Sequence, residues 1–261
     1  MDHADWRRQR IAELIAPDSW LSLAGLYWLE PGAQTVGSAA DNALVLDAGP
    51  AHWGTLVVGQ DIRWQVAGQA EQILVTDVQG QGQGKSSVVR NGETSFILIE
   101  RDGQIALRLR NNASPARLAF AGIPAFDFSA DWRLEARWDP TPQTLEVATM
   151  SGGLETRQLP GRALFDHAGQ TYSLTPLDTD AKGLFFVFAD QTSGKKDSNG
   201  TYGAGRFLWV RAPEEGRLVL DFNRAYNPPC AFTPFATCPL APPENRLPFA
   251  VTAGEKYSSH P

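Results

Sequence analysis

The chain has 261 residues, 43% hydrophobic and 20% charged, which excludes a disordered tail, a collagen-like repeat and a bundle of membrane helices. Lys and Arg number 23 against 29 Asp and Glu, a net charge of −6. That charge opposes a nucleic-acid backbone as partner but leaves room for a small anion held by a few Arg. No window reaches the roughly 18 apolar residues of a membrane-spanning helix, so no membrane partner is expected.

Residues 1–16, MDHADWRRQRIAELIA, carry charges through the middle and no apolar run, so no signal peptide is read. With only two cysteines, Cys230 and Cys238, this implies a cytoplasmic protein with reduced thiols. Residues 4–16 form the one clear helical pattern. Trp6, Ile11, Leu14 and Ile15 recur at three-to-four spacing, Arg7, Arg8 and Arg10 fall off that face, and Pro17 ends it. Such a helix packs across a sheet end or plugs a barrel mouth.

After Trp20 the chain reads as strands. Runs at 43–46, 55–58, 62–66, 72–76, 87–89 and 95–99 are rich in Val, Ile and Leu and are separated by Gly, Asn and Asp. Residues 105–110 alternate as IALRLR. Residues 132–138 alternate as WRLEARW, with Trp132, Leu134, Ala136 and Trp138 on one face and Arg133, Glu135 and Arg137 on the other. Further strands are read at 145–149, 171–174, 184–188, 206–210 and 218–222. Asn91-Gly92 and Asp102-Gly103 are hairpin dipeptides, since both favour positive φ. The expected fold is all-β: antiparallel sandwich or barrel-like modules, one short N-terminal helix and a proline-rich wrapping segment near the C-terminus. Residues 112–131 lack long periodic runs and suggest a seam. The expected organisation is an N-terminal helical segment over 1–20, a β-module over 21–120 and a second over 121–261 with a Pro-rich loop at 226–247. One shared core and two separate cores both remain open.

Familiar catalytic patterns fail. The stretch Gly80–Ser86 is one residue short of a phosphate loop and lies between strands, so it reads as a hairpin loop. His3, His52, His167 and His260 have no metal-ligand spacing to one another or to a cysteine, and no metal or cofactor is expected. There is no Gly-x-Ser-x-Gly elbow, and Cys230 and Cys238 have no nearby His to activate them. They read as packing residues.

Residues Asp221–Leu247 (DFNRAYNPPCAFTPFATCPLAPPENRL), with Thr201–Phe207 (TYGAGRF) and Ser22–Pro31 (SLAGLYWLEP), resemble a bacterial and archaeal family known as domain of unknown function 1684. The resemblance runs from Trp20 to Lys256 and implies no reaction and no catalytic residue. A weaker likeness lies in the N-terminal module. Val36-Gly37-Ser38, Asn42–Leu46, Pro50–His52 and Asn91-Gly92 follow the order of landmarks in forkhead-associated domains, which are β-sandwiches that bind phosphothreonine peptides. Here Ser38 stands where that family has a phosphate-binding Arg, and Pro50 where it has a Ser hydroxyl. The likeness supports a sandwich shape without the charge-assisted donors that phosphate requires.

Six of the 18 prolines fall in Pro228–Pro243, which makes that segment extended and stiff, while Tyr226, Phe232 and Phe235 give it side chains to bury. A buried irregular segment needs donors for its carbonyls. Arg206, Arg224 and Arg246 supply guanidinium forks, Asn223, Asn227 and Asn245 supply amides, and Asp221 and Glu244 can balance the charge. These groups either staple the loop to the strands or converge on a cleft. In a cleft, Arg206, Asn223, Arg224, Asn227, Asn245 and Arg246 would bind a small anionic molecule. The alternative is a hydrolase-like enzyme with Glu244 or Asp221 as acid/base, Asp190 and Lys195 lining the same mouth. A third reading is a protein interaction module using a β-edge or the proline segment. Oligomeric state is not legible.

Overall fold

Short runs that alternate apolar and polar side chains pair into antiparallel strands with one face buried. The protein is built this way in a computed structural model that describes residues 2–82, 86–148, 154–180 and 183–257. The fold is all-β, with one N-terminal helix, α1 (His3–Ile15), and a four-residue helix, α2 (Pro115–Leu118). The chain forms two compact units, Ala12–Phe120, and Met1–Ile11 with Ala121–Pro261.

The first unit holds β1 (Leu23–Trp28), β2 (Gly32–Gly37), β3 (Leu44–Val45), β4 (Gly54–Val58), β5 (Ile62–Gln65), β6 (Gln72–Leu74), β7 (Val88–Asn91), β8 (Thr94–Arg101) and β9 (Gln104–Asn111). They form two sheets, in the orders β1-β9-β8-β7 and β3-β2-β4-β5-β6. Val36, Leu56 and Trp64 from one sheet pack with Phe96, Leu98, Leu107 and Leu109 from the other. The rings of Trp53, Trp64 and Phe96 meet edge to face, with centroids 5.1–6.3 Å apart. This is a sandwich core. Asp102 and Gly103 both take positive φ and join β8 to β9, as their side chains favour. The β7–β8 loop is Gly92-Glu93, between the paired Asn91 and Thr94, so only the Gly needs positive φ. Residues 83–85 of the Gly80–Ser86 stretch lie outside the described residues.

The second unit holds β10 (Arg133–Asp139), β11 (Gln143–Ala148), β12 (Leu154–Leu159), β13 (Arg162–His167), β14 (Gln170–Leu174), β15 (Asp178–Asp180), β16 (Gly183–Phe188), β17 (Arg206–Val210) and β18 (Arg217–Asp221). Its sheets run β14-β13-β10-β18, β15-β16-β17 and β11-β12. Strand β16, GLFFVF, is apolar on both faces because both are covered. Leu184, Phe186 and Phe188 pack with Ala136, Phe165, Leu218 and Leu220 of the four-stranded sheet. Val187 faces the other way, with Leu145, Leu159, Ala236, Cys238 and Ala241. The proline-rich segment therefore covers the outer face of β16 and β17. It is tied there by paired Phe207 and Tyr226 backbone bonds of 2.8 and 2.9 Å.

Helix α1 buries Leu14 and half-buries Trp6 and Ile11, as its apolar pattern suggests, but its covered face also takes in Arg7 and Arg10. Ile15 is exposed, whereas Arg10 is largely covered and Leu14 is buried. His3, Trp6, Arg7, Arg10 and Ile11 recur at three-to-four spacing on the covered side. Arg7 Nη2 donates to Ile123 O at 3.0 Å, and Arg10 Nη2 to Asn227 O at 2.9 Å. An Arg stem covers apolar surface while its fork satisfies carbonyls, so the covered face is wider than apolar periodicity alone shows.

Candidate functional site

Arg206 opens β17 with the same parity as Leu208 and Val210, which points it into the apolar layer. Its side chain is fully buried, 5.2 Å from the Phe188 ring centre. Nη2 donates to Asp190 Oδ2 at 2.8 Å and Val251 O at 3.0 Å, and Nη1 donates to Ala253 O. Burial lowers the guanidinium's proton affinity, and the Asp190 carboxylate opposes that. Asp190 Oδ1 in turn accepts from Thr192 N–H at 2.8 Å and Val251 N–H at 3.2 Å.

Two predicted amides are spent in the same way, and a third, Asn227, is bonded through its N–H groups while its buried Oδ1 has no partner among the described residues. Asn245 donates to Thr175 O (2.7 Å) and Val187 O (2.9 Å) and accepts from Thr175 N–H (2.8 Å). Asn223 donates to Ser129 O and accepts from Ser129 N–H. Asn227 donates to Lys256 O at 2.8 Å, and its N–H donates to Glu255 Oε2 at 2.7 Å. Glu255, which the sequence reading passed over, also accepts from Arg10 Nε at 3.2 Å. Its burial raises the carboxyl pKa, against the pull of Arg10. Arg10 itself lies 4.7 Å from the centre of the Tyr226 ring.

The remaining candidates diverge. Glu244 and Arg246 are exposed on either side of the buried Asn245, because the short turn Pro243–Asn245 turns only its last side chain inward. Glu244 thus lacks the buried setting expected of a tuned acid/base, and Lys195 is exposed. Arg224 is 35% exposed and lies 3.5 Å from Asp221 through Nε.

Asp221 and Arg224 line an open groove of about 920 Å³ on the outer side of β10 and β18. Alternation explains its walls. Leu218 and Leu220 of β18 point into the core, which leaves Arg217, Val219 and Asp221 outward. On β10, Arg133 and Glu135 point the same way, opposite Asp221 and Val219. Trp209 and Arg211 complete one side, where the chain leaves β17. Four Arg, at 133, 211, 217 and 224, therefore share one concave surface with Asp221, Glu135, Glu214 and Glu215. The WRLEARW alternation carried the signal for Arg133 and Glu135. Arg211 and Arg217 had none beyond the strand parity of β17 and β18. Among the described residues, no group of three or more His, Cys, Asp or Glu could hold a metal ion, and no helix is long and apolar enough to cross a membrane.

The family model described as "Protein of unknown function (DUF1684)" matches residues 118–256, which include the groove, Arg206 and the proline-rich segment. Ser22–Pro31 lies outside that match. An uncharacterised protein of Haloarcula marismortui, solved by solution NMR, is 31% identical, over 56% of this chain and 81% of its own, with a TM-score of 0.43. The curated proteins give no match. With the family model covering more than half of its length, the chain belongs to the DUF1684 family of proteins of unknown function.

Proposed function

We propose that the groove beside β10 and β18 binds a small molecule bearing a carboxylate or phosphate group. The observation that carries this reading is the gathering of Arg133, Arg211, Arg217 and Arg224 on one concave surface beside Trp209. A guanidinium fork offers paired parallel hydrogen bonds to either anion, and an indole offers a flat apolar wall. The four carboxylates balance the four Arg, so recognition rests on fork geometry rather than on net field. Arg206, Asn223, Asn227 and Asn245 bond protein groups and do not line the groove, so they are not assigned to the ligand.

The test is a thermal-shift screen with inorganic phosphate and a panel of small carboxylates and phosphate esters, followed by calorimetry. Arg133→Ala and Arg224→Ala should leave the melting temperature of the free protein nearly unchanged and abolish ligand-induced stabilisation. Arg224→Lys should restore little, because an ammonium lacks the planar fork. A shift that survives both alanine substitutions would reject the groove, and a panel without any shift would reject the anion. The hydrolase-like alternative now rests on Asp221, which lines the groove while Glu244 does not. It requires turnover of an ester or phosphoester that Asp221→Asn removes without loss of binding.

A further inference from the structure

The proline-rich segment turns back on itself so that its two cysteines touch. Cys230 N–H donates to Cys238 Sγ at 3.3 Å, and Cys230 Sγ donates to Ala236 O at 3.4 Å. Neither sulfur is in a disulfide, and the two residues differ in access: Cys230 is partly exposed, Cys238 buried. Both belong to the apolar cluster against β16 and β17. The backbone at Cys230 is also held from the opposite loop, where Tyr202 Oη donates to Cys230 O at 3.2 Å and the Tyr202 ring packs edge-on against Tyr257. The Cys230 backbone is thus tied to a second loop, and both residues pack on the same apolar cluster.

We propose that Cys230 and Cys238 are a redox-responsive thiol pair that a hydroperoxide converts to an intramolecular disulfide. Solvent access makes Cys230 the sulfur that meets the oxidant. Its thiolate attacks the peroxide, the O–O bond breaks, and the products are a Cys230 sulfenic acid and an alcohol, or water from hydrogen peroxide. The Cys238 thiol gives up its proton as its sulfur attacks the Cys230 sulfur, the S–O bond breaks, and the leaving hydroxide takes up a proton as water. In sum, two thiols and one hydroperoxide give one disulfide, one alcohol and one water. The bond closes a short loop over the outer face of β16 and β17 and restricts the unfolded chain. A small-molecule dithiol reverses it.

The full-length protein treated with hydrogen peroxide tests this. Both thiols should become unavailable to alkylation together, with a mass loss of two hydrogens, a 230–238 cross-linked peptide and a raised melting temperature that dithiothreitol returns to its starting value. Cys238→Ser should stop the reaction at a dimedone-reactive Cys230. Cys230→Ala/Cys238→Ala, compared with its own untreated sample, should show no peroxide-dependent shift. The proposal fails if Cys230 proceeds to sulfinic acid while Cys238 stays alkylatable, if the cross-link forms only between chains, or if both thiols survive peroxide.

Discussion

Arg206 and Asp190 meet at 2.8 Å with neither side chain accessible to solvent. The pair sits where β17 enters the apolar layer, and Arg206 also ties down the carbonyls of Val251 and Ala253. Removing one partner of a buried pair leaves the other charge without compensation, at a typical cost of about 3–5 kcal/mol. Arg206→Ala should cost at least that much in urea unfolding, and Arg206→Lys should recover only a minor part. An Arg206→Ala protein of unchanged stability would show that the 251–255 segment is held by other contacts.

Asn245 ties the turn Pro243–Asn245 to Thr175 and Val187. Asn245→Ala leaves Thr175 N–H, Thr175 O and Val187 O without their side-chain partner in a buried site. Each unsatisfied buried group costs about 1–3 kcal/mol, so a loss of several kcal/mol is expected. Asn245→Asp should be nearly as harmful, since a carboxylate cannot donate to the two carbonyls. Equilibrium denaturation of both variants checks the order.

The β17–β18 turn runs through Glu215 and Gly216, with φ of 49° and 75°, between the mutually bonded Glu214 and Arg217. Such a turn prefers Asn at its first central position, whereas Glu there is strained. Glu215→Asn should stabilise the protein by a few tenths to about 1 kcal/mol, a small rise in melting temperature. A fall would mean that the Glu215 side chain makes contacts that outweigh its backbone strain.

Asp18 governs part of the acid limit. Burial acts to raise its carboxyl pKa, but hydrogen bonds from Arg90 and Asn112 and the charges of Arg90 and Arg110 outweigh that and hold it below 3.8. A depressed folded pKa means that the unfolded chain binds protons first. The stabilisation is therefore complete above about pH 4 and is lost as pH falls through the folded value. Asp18→Asn keeps a side chain that tolerates the φ of 59° at this position and removes the charge. Its melting temperature should drop at neutral pH and converge on that of the wild type as pH falls toward 2, followed by calorimetry across the range.

Much of the fold was legible because its signals are local. Asp102-Gly103 encodes its own turn, and WRLEARW encodes which side of β10 is buried. Strand β13 was not read, since its hairpin turns on Ala168-Gly169, and Ala gives no hint that it takes a φ of 50°. Strand β2, GAQTVG, was missed for want of apolar residues at its start.

The site divides along the same line. Composition and spacing alone place Arg and Asn around the proline-rich segment, and a buried segment of that kind needs donors. They do not say which of those donors face protein and which face solvent. Arg206 is consumed by partners at 190, 251 and 253, and Asn245 by partners at 175 and 187. Arg224 reaches a groove whose other guanidinium groups come from 133, 211 and 217. These neighbours are chosen by strand pairing and sheet packing across large separations in the chain. Whether a buried polar group is satisfied depends on which carbonyls and carboxylates arrive beside it, and only the tertiary structure decides that.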